Sequence, residues 1–206
     1  RNPFRLARNW CRVVLFLARV ICGLRYRVVG IENFPEETCI AFLKHSSTFE
    51  TFAQLIFLPR HCWVLKKELG YIPFFGWCLT PLQAIAIDRS AGGRAVKQVI
   101  KQGTERLENG INISIFPEGT RMPAGETRRY GKSGALLAQA SGHPIVPIAH
   151  NAGFFWSKTS WSITPGEVVF VVGKPVDATG RDVEELNKEI QAWIEAEVAR
   201  LTPGGS

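Results

Sequence analysis

Residues 38–58, TCIAFLKHSSTFETFAQLIFL, contain the change of pattern that decides the fold. Residues 38–44 form a mostly apolar run of strand length, which predicts a buried β-strand. Ser46, Ser47 and Thr48 follow as candidate helix caps, and a helix is predicted from there to residue 58. The stretch therefore predicts a strand that leads directly into a helix, which is the basic unit of an α/β protein.

The same alternation continues towards the C-terminus. Further strands are predicted at residues 63–65, 83–87, 111–116, 144–149 and 168–172, further helices at residues 94–107, 133–140 and 183–201, and a short helix with a loop at residues 71–81. The 206 residues are within the size range of one domain. We expect a single α/β domain with a mainly parallel or mixed sheet that is covered by helices on both faces.

The N-terminal segment has a different character. Residues 1–31 contain seven arginines and no acidic residue, and Arg1, Arg5, Arg8, Arg12 and Arg19 recur at helical spacing. The uncharged run at residues 13–18 is much shorter than the roughly 20 residues that cross a bilayer. We expect an amphipathic helix on an anionic membrane surface, with a helix packed on its own domain as the alternative. The predicted organisation is a membrane-associating helix (1–25), a main domain (26–201) and a tail (202–206).

Composition limits the kinds of partner. The formal net charge of +7 indicates an anionic partner, such as nucleic acid, an acidic membrane leaflet or a phosphorylated substrate. Nucleic acid is disfavoured, because the basic residues gather on the N-terminal helix and do not interleave with aromatic residues on one face. The five cysteines show no C-x-x-C spacing, so neither a disulfide framework nor a zinc site is predicted. We expect each cysteine to be a small buried apolar residue.

One candidate catalytic group lies at the end of the first predicted strand, where His45 is followed five residues later by Glu50. Positions five apart in a regular helix are about 140° apart around its axis, so their side chains would not meet. If His45 precedes the first turn, the chain bends and Glu50 reaches one ring nitrogen, which leaves the other nitrogen as a general base. The alternative is a histidine that is satisfied by local capping.

Further candidate groups follow two other predicted strands. Residues 116–121 read FPEGTR, where Gly119 allows close backbone approach to a ligand and Arg121 offers planar donors to a phosphate or carboxylate. The alternative for this block is a charged turn. Arg89, which follows Asp88, is either an anion ligand or half of a surface ion pair. Residues 146–149 form a fourth, apolar motif without chemistry of its own. Ligands of open α/β sheets usually bind at such strand ends.

Together and in this order, the four motifs resemble the glycerolipid acyltransferase family, in particular the bacterial 1-acylglycerol-3-phosphate acyltransferases. The resemblance covers residues 26–176 and is most specific in FPEGTR, beside which the H-x4-acid pattern also becomes specific. It includes VGIENFP at residues 29–35 and KKEL at residues 66–69, ahead of Ile72-Pro73 and Gly76. Two positions depart from the family pattern: Glu50 replaces the usual aspartate, and Ala86 stands where an aromatic residue is frequent.

The resemblance implies an acyltransferase domain at residues 26–201 and a set of site residues. They are His45 as the general base, Glu50 as the residue that orients it, Arg121 with Glu118, Gly119 and Thr120 as the acceptor site, and Lys66 and Arg89 as a completing phosphate clamp. The family transfers an acyl group from acyl-CoA or acyl carrier protein to lysophosphatidate, which gives phosphatidate. No metal or other cofactor is implied.

The expected mechanism is direct attack of the acceptor hydroxyl on the thioester, without an acyl-enzyme. Backbone N–H groups, or the positive end of the helix that begins near Ser46, would stabilise the oxyanion. The bilayer would supply the lipid substrate, and the expected location is the cytoplasmic face of the inner membrane. The alternatives are acylation of lyso-ornithine lipid, another lysolipid or glycerol 3-phosphate, lipid-to-lipid transacylation, and a non-catalytic phospholipid-binding protein.

Overall fold

A computed structural model describes residues 3–72, 76, 79–158, 160 and 162–202. The strands are β1 (Leu24–Val29), β2 (Ile40–Leu43), β3 (His61–Lys66), β4 (Ile85–Ile87), β5 (Asn112–Ile115), β6 (Ile145–His150) and β7 (Gly166–Val172). The α-helices described are α1 (Pro3–Cys22), α2 (Phe49–Phe57), α3 (Gly93–Glu108), α4 (Ser133–Ser141), α5 (Ala152–Phe155) and α6 (Val183–Arg200).

The strands form one seven-stranded sheet in the order β1-β7-β6-β2-β5-β3-β4. Strands β6, β2, β5, β3 and β4 run parallel to each other, whereas β7 is antiparallel to β6 and pairs in parallel with β1. The C-terminal ends of the five parallel strands therefore lie together at one end of the sheet, where open α/β sheets bind ligands. The predicted mainly parallel or mixed sheet is confirmed.

Strand β2 lies between β5 and β6, and its side chains alternate between two cores. Ile40 and Phe42 belong to a core shared with α3, α4 and α6, whereas Ala41 and Leu43 belong to a core shared with α1, α2 and α5. Full burial of a large apolar side chain contributes about 1.5–3 kcal/mol. The prediction of helices on both faces is confirmed, and β2 is a rigid support for the residues that follow it.

Helix α2 begins later than predicted. The prediction started the helix at residue 46, but the first helical residue is Phe49. The backbone N–H groups of Ser46 and Ser47 donate to the Glu50 side chain, and such local side-chain bonds compete with helical structure. The segment between β2 and α2 is therefore a bend.

Two elements were not predicted, and one predicted segment is only partly described. Strand β1 exposes Arg25 and Arg27 at the edge of the sheet, so it lacks a continuous apolar run. Helix α5 has only four residues. Residues 73–75, Trp77 and Cys78, which belong to the predicted segment 71–81, lie outside the described residues.

Helix α1 has one buried face and one exposed apolar face. Phe4, Cys11, Leu15 and Ala18 are buried against the domain. The large apolar side chains that remain exposed, here called the apolar face of α1, are Leu6, Trp10, Val13, Phe16, Leu17, Val20 and Ile21. The helix thus packs on its own domain through one face, and the membrane-surface role of the other face stays a prediction. Among the described residues, no helix has the length and apolar character to cross a membrane.

Candidate active site

His45 and Glu50 are in contact across the bend between β2 and α2. His45 Nδ1 lies 2.9 Å from Glu50 Oε1. The same oxygen accepts the backbone N–H groups of Ser46 at 3.0 Å and of Ser47 at 2.9 Å. Glu50 therefore fixes both the imidazole and the loop that carries it, and the bend gives the longer glutamate side chain the room it needs.

The Glu50 carboxylate is fully buried but has a low pKa. Burial by itself raises the pKa of this carboxyl group, whereas His150, the hydrogen bond with His45 and the N–H of Ser47 lower it. The net result is a pKa below the ordinary value of a glutamate, so the group is ionised at neutral pH. A charged carboxylate beside Nδ1 favours the tautomer with its proton there and stabilises an imidazolium.

The opposite ring nitrogen of His45, Nε2, remains to accept a proton. The ring stacks on Phe116 with centroids 3.9 Å apart, so one of its faces is covered. The side chain is 17% exposed and lines an open cleft. An imidazole that is held by a carboxylate on one side and borders a cleft can act as a general base.

The loop after β5 is bonded directly to the His45 segment. Gly119 has a left-handed φ of 73°, a conformation that other residues rarely adopt. The backbone N–H of Met122 donates to the His45 carbonyl at 2.7 Å. Arg121 Nη1 donates to Thr48 Oγ1 at 2.8 Å. These bonds hold the guanidinium of Arg121 next to the loop that carries the imidazole.

His45 and Arg121 line the same cleft, which has a volume of about 440 Å³ and is called the active-site cleft below. Helices α1 and α2, strand β3 and the two loops surround it. The other lining residues are Trp10, Cys11, Ser47, Thr48, Thr51, Phe52, Leu55, Trp63, Leu65 and Phe116. The cleft thus combines an imidazole, a guanidinium and a largely apolar wall, the composition expected of a site for an anionic amphiphile.

The other implied acceptor residues lie at different depths. Glu118 is buried and accepts the backbone N–H of His45 at 3.0 Å. Arg89 donates to the carbonyl of Gly119, and Lys66 is exposed at the end of β3. Neither Lys66 nor Arg89 is one of the described residues that line the cleft. The structure therefore brings Arg121 together with His45, and it places Glu118 behind the site.

The first N–H groups of the turn before α2 are already used. Ser46 and Ser47 donate to Glu50, and Phe49 donates to Ser47 Oγ at 3.1 Å. These three N–H groups are bonded within the bend. That other backbone N–H groups, or the positive end of α2, stabilise the oxyanion stays a prediction. Arg121 is the one permanent cation in the described lining of the cleft.

Sequence analysis missed three residues in and behind this site. Trp10 belongs to the apolar face of α1 and also lines the active-site cleft. The buried Lys44, which directly precedes His45, forms an ion pair with the partly exposed Glu195 at an N–O distance of 2.8 Å. A charged residue at the end of an apolar strand was the available signal for Lys44. Nothing in the sequence indicated its partner 151 residues away.

Comparisons with known proteins agree on one family. A model described as "Acyltransferase" matches residues 25–151. The 1-acyl-sn-glycerol-3-phosphate acyltransferase of Pseudomonas aeruginosa is 45% identical over an alignment of 209 residues. The alignment covers 98% of this chain and 81% of that protein. The protein of the same name from Saccharomyces cerevisiae is 34% identical over 163 residues, which cover 77% of this chain and 52% of that protein.

The fold also matches a solved structure. The crystal structure of the 1-acyl-sn-glycerophosphate (LPA) acyltransferase PlsC from Thermotoga maritima has a TM-score of 0.78 at 26% sequence identity, and the match covers 96% of this chain and 79% of that chain. The segment that matches the family contains both His45 and Arg121. On this evidence, the chain belongs to the acyltransferase family.

Proposed function

We propose that this protein transfers an acyl chain from acyl-CoA or acyl carrier protein to the sn-2 hydroxyl of 1-acylglycerol-3-phosphate, which makes phosphatidate. The observation that carries the proposal is that His45 and Arg121 line the same active-site cleft, where they would serve as the base and the anion-binding group. Relatives in P. aeruginosa and S. cerevisiae are named for the same acceptor. Family membership supplies the reaction class, and the donor, the acceptor and the residue roles are the proposed part.

In the proposed mechanism, the acceptor oxygen attacks the thioester carbonyl while His45 Nε2 accepts the hydroxyl proton. Glu50 stabilises the resulting imidazolium across its 2.9 Å contact with Nδ1. The tetrahedral intermediate then expels the thiolate as the C–S bond breaks, and the imidazolium returns the proton to sulfur. The products are the new ester, which contains the C–O bond formed, and the free thiol. No acyl-enzyme is formed.

Two chemically different parts of the cleft would hold the acceptor. The guanidinium of Arg121 presents planar donors that suit a phosphate. Phe52, Leu55 and Trp63 belong to the apolar wall, against which an alkyl chain is stable. Lys66 and Arg89 remain predicted phosphate ligands that would act from outside the cleft.

The apolar face of α1 would lie in the membrane interface, on the cytoplasmic face of the inner membrane where both thioester donors occur. Arg5, Arg12 and Arg19 are exposed on the same helix, as a helix on anionic lipid requires. Trp10 is 58% exposed on this face and also lines the active-site cleft. The cleft would therefore open next to the surface in which the lipid substrate is dissolved.

The test of the function is release of free thiol by the purified protein with each of several acceptors. Acyl-CoA with lysophosphatidate should give thiol and phosphatidate in equal amounts, at a higher kcat/KM than lyso-ornithine lipid or glycerol 3-phosphate. Faster turnover of either of those acceptors would reassign the substrate. Acyl transfer between lipids without a thioester would indicate transacylation, and binding without turnover would indicate a non-catalytic protein.

Replacing Arg121 by alanine should lower kcat/KM for lysophosphatidate roughly tenfold, mostly through KM, because a solvent-screened charge contact with the phosphate is lost. Steady-state kinetics of Arg121→Ala and Arg121→Lys with lysophosphatidate and with monoacylglycerol measure this. The uncharged acceptor should be affected little. Arg129→Ala, which removes another exposed arginine that pairs with Glu184 at 2.9 Å, is the matched control. An equal loss with both acceptors would contradict the phosphate role.

Replacing Val13 and Val20 by aspartate should weaken binding to phosphatidylglycerol-containing vesicles by roughly tenfold or more, because both side chains belong to the apolar face of α1. Cosedimentation with vesicles measures the change. Ile31→Asp, at an exposed apolar residue outside α1, should bind like the unchanged protein. Equal binding by the α1 double variant would show that this face does not insert.

A further inference from the structure

The buried ammonium group of Lys44 lies immediately before His45 and takes no part in the proposed reaction. Lys44 is 1% exposed. Its Nζ donates to Glu118 Oε1 at 2.8 Å, to Glu195 Oε1 at 2.8 Å and to the Glu126 carbonyl at 2.6 Å. All three N–H bonds of the ammonium are thereby used, which is the condition under which a buried lysine is tolerated.

Glu118 connects this cation to the backbone of His45. Its Oε1 accepts bonds from Lys44 and, at 3.1 Å, from the Thr127 hydroxyl, whereas its Oε2 accepts the His45 N–H at 3.0 Å. The His45 carbonyl accepts the N–H of Met122 at 2.7 Å. Both backbone polar groups of His45 are thus bonded to the loop after β5. Lys44 is therefore one of three donors that hold the carboxylate of Glu118 in that loop.

Glu195 brings helix α6 into the same network. The helix is anchored through buried residues on either side of Glu195, among them Ile194 and Val198. Glu195 lies outside residues 25–151, the segment that matches the family. Its side chain is 21% exposed and lies on the solvent side of Lys44. It is the second carboxylate, after that of Glu118, that pairs with the Lys44 ammonium group. Glu195, which lies beyond the matched segment, therefore pairs with the ammonium group of Lys44 next to the proposed base.

We propose that Lys44 and Glu195 are positioning residues for the acyl transfer: they orient the Glu118 carboxylate, which fixes the backbone at His45 and hence the imidazole relative to Arg121. Neither Lys44 nor Glu195 lines the active-site cleft, so both act through Glu118. The inference rests on the proposed function for its kinetic consequence. Its structural consequence, at the backbone N–H of His45, is independent of any activity.

The kinetic test compares two substitutions of Glu195 in the full chain. Glu195→Ala should lower kcat roughly tenfold with little change in either KM, because the imidazole is misplaced while the binding groups stay. Glu195→Gln should recover most of kcat, since its amide oxygen still accepts a bond from Lys44. The matched control is Glu197→Ala, which loses an ion pair with Arg200 on the same helix and should be unaffected. Thermal unfolding of each variant identifies any loss that is due to instability.

The structural test uses three of the four histidines of the chain as reporters. In protein labelled with [15N]histidine, Glu195→Ala should shift the backbone amide signal of His45, which donates to Glu118, and leave those of His61 and His143 in place. In the double variant Lys44→Met/Glu195→Ala, kcat should equal that of Lys44→Met alone. An unmoved His45 signal or additive kinetic effects would overturn the proposal. If the protein without substitutions released no thiol, the proposed function would be refuted. The measurement of the His45 amide signal would still test the positioning role.

Discussion

Replacing His45 by alanine is expected to lower kcat by roughly 10²- to 10⁴-fold, because the acceptor hydroxyl loses the base that accepts its proton. The ring nitrogen opposite Glu50 is the group concerned, since Nδ1 is engaged with that carboxylate at 2.9 Å. KM for lysophosphatidate should change little, because Arg121 and the apolar wall remain. Thiol release from acyl-CoA at saturating lysophosphatidate measures the loss.

The matched control for this substitution is His143→Ala. His143 is half-buried, and its Nδ1 lies 2.9 Å from the Ser141 carbonyl, between α4 and β6. Its removal should leave kcat close to that of the unchanged protein. Turnover of His45→Ala within about threefold of the original rate would contradict the base assignment, since general-base catalysis is worth far more than that.

Replacing Glu50 by glutamine is expected to lower kcat by roughly 10- to 100-fold, because a hydrogen bond to a charged group is lost while the shape is kept. The amide oxygen can still accept from the backbone N–H groups of Ser46 and Ser47, so the bend before α2 should persist. What disappears is the negative charge beside Nδ1 that stabilises the imidazolium. Steady-state kinetics together with a circular dichroism spectrum separate this effect from misfolding.

Two further variants sharpen the test of Glu50. Glu50→Asp keeps the charge but shortens the side chain by about 1.5 Å, one C–C bond, so it should be intermediate in rate. Glu37→Gln removes another glutamate charge, from an exposed position before β2, and should have no effect. If Glu50→Gln turned over at the original rate, the carboxylate would be a structural cap of the loop and would have no role in proton transfer.

The central part of the fold could be predicted because sequence pattern and burial agree there. Strand β2 is buried at all four positions, and its apolar run is followed by Lys44 and His45, so both the strand and its functional end were visible in the sequence. Strand β1 was missed for the opposite reason. It lies at the sheet edge, with Arg25 and Arg27 exposed, and its partner β7 is far away in the sequence.

The site was predictable where its contacts are local. His45 and Glu50 are five residues apart, and the geometry of one bend was enough to bring them together. Lys44, Glu118 and Glu195 meet only because β2, the loop after β5 and α6 pack together, which no local pattern reports. The burial of Glu118 is likewise a result of tertiary packing that no local sequence pattern reports. The family resemblance implied that Glu118 is part of the acceptor site; in the fold its buried carboxylate accepts the backbone N–H of His45.

Trp10 belongs both to the apolar face of α1 and to the wall of the active-site cleft. If that face rests in the lipid leaflet, the acceptor reaches His45 by lateral diffusion within a two-dimensional phase. The rate then depends on the mole fraction of acceptor in the membrane surface. The bulk concentration of acceptor in the sample matters little. Such an enzyme responds to the make-up of the leaflet around it, so phosphatidate that accumulates nearby dilutes the next substrate and slows its own synthesis.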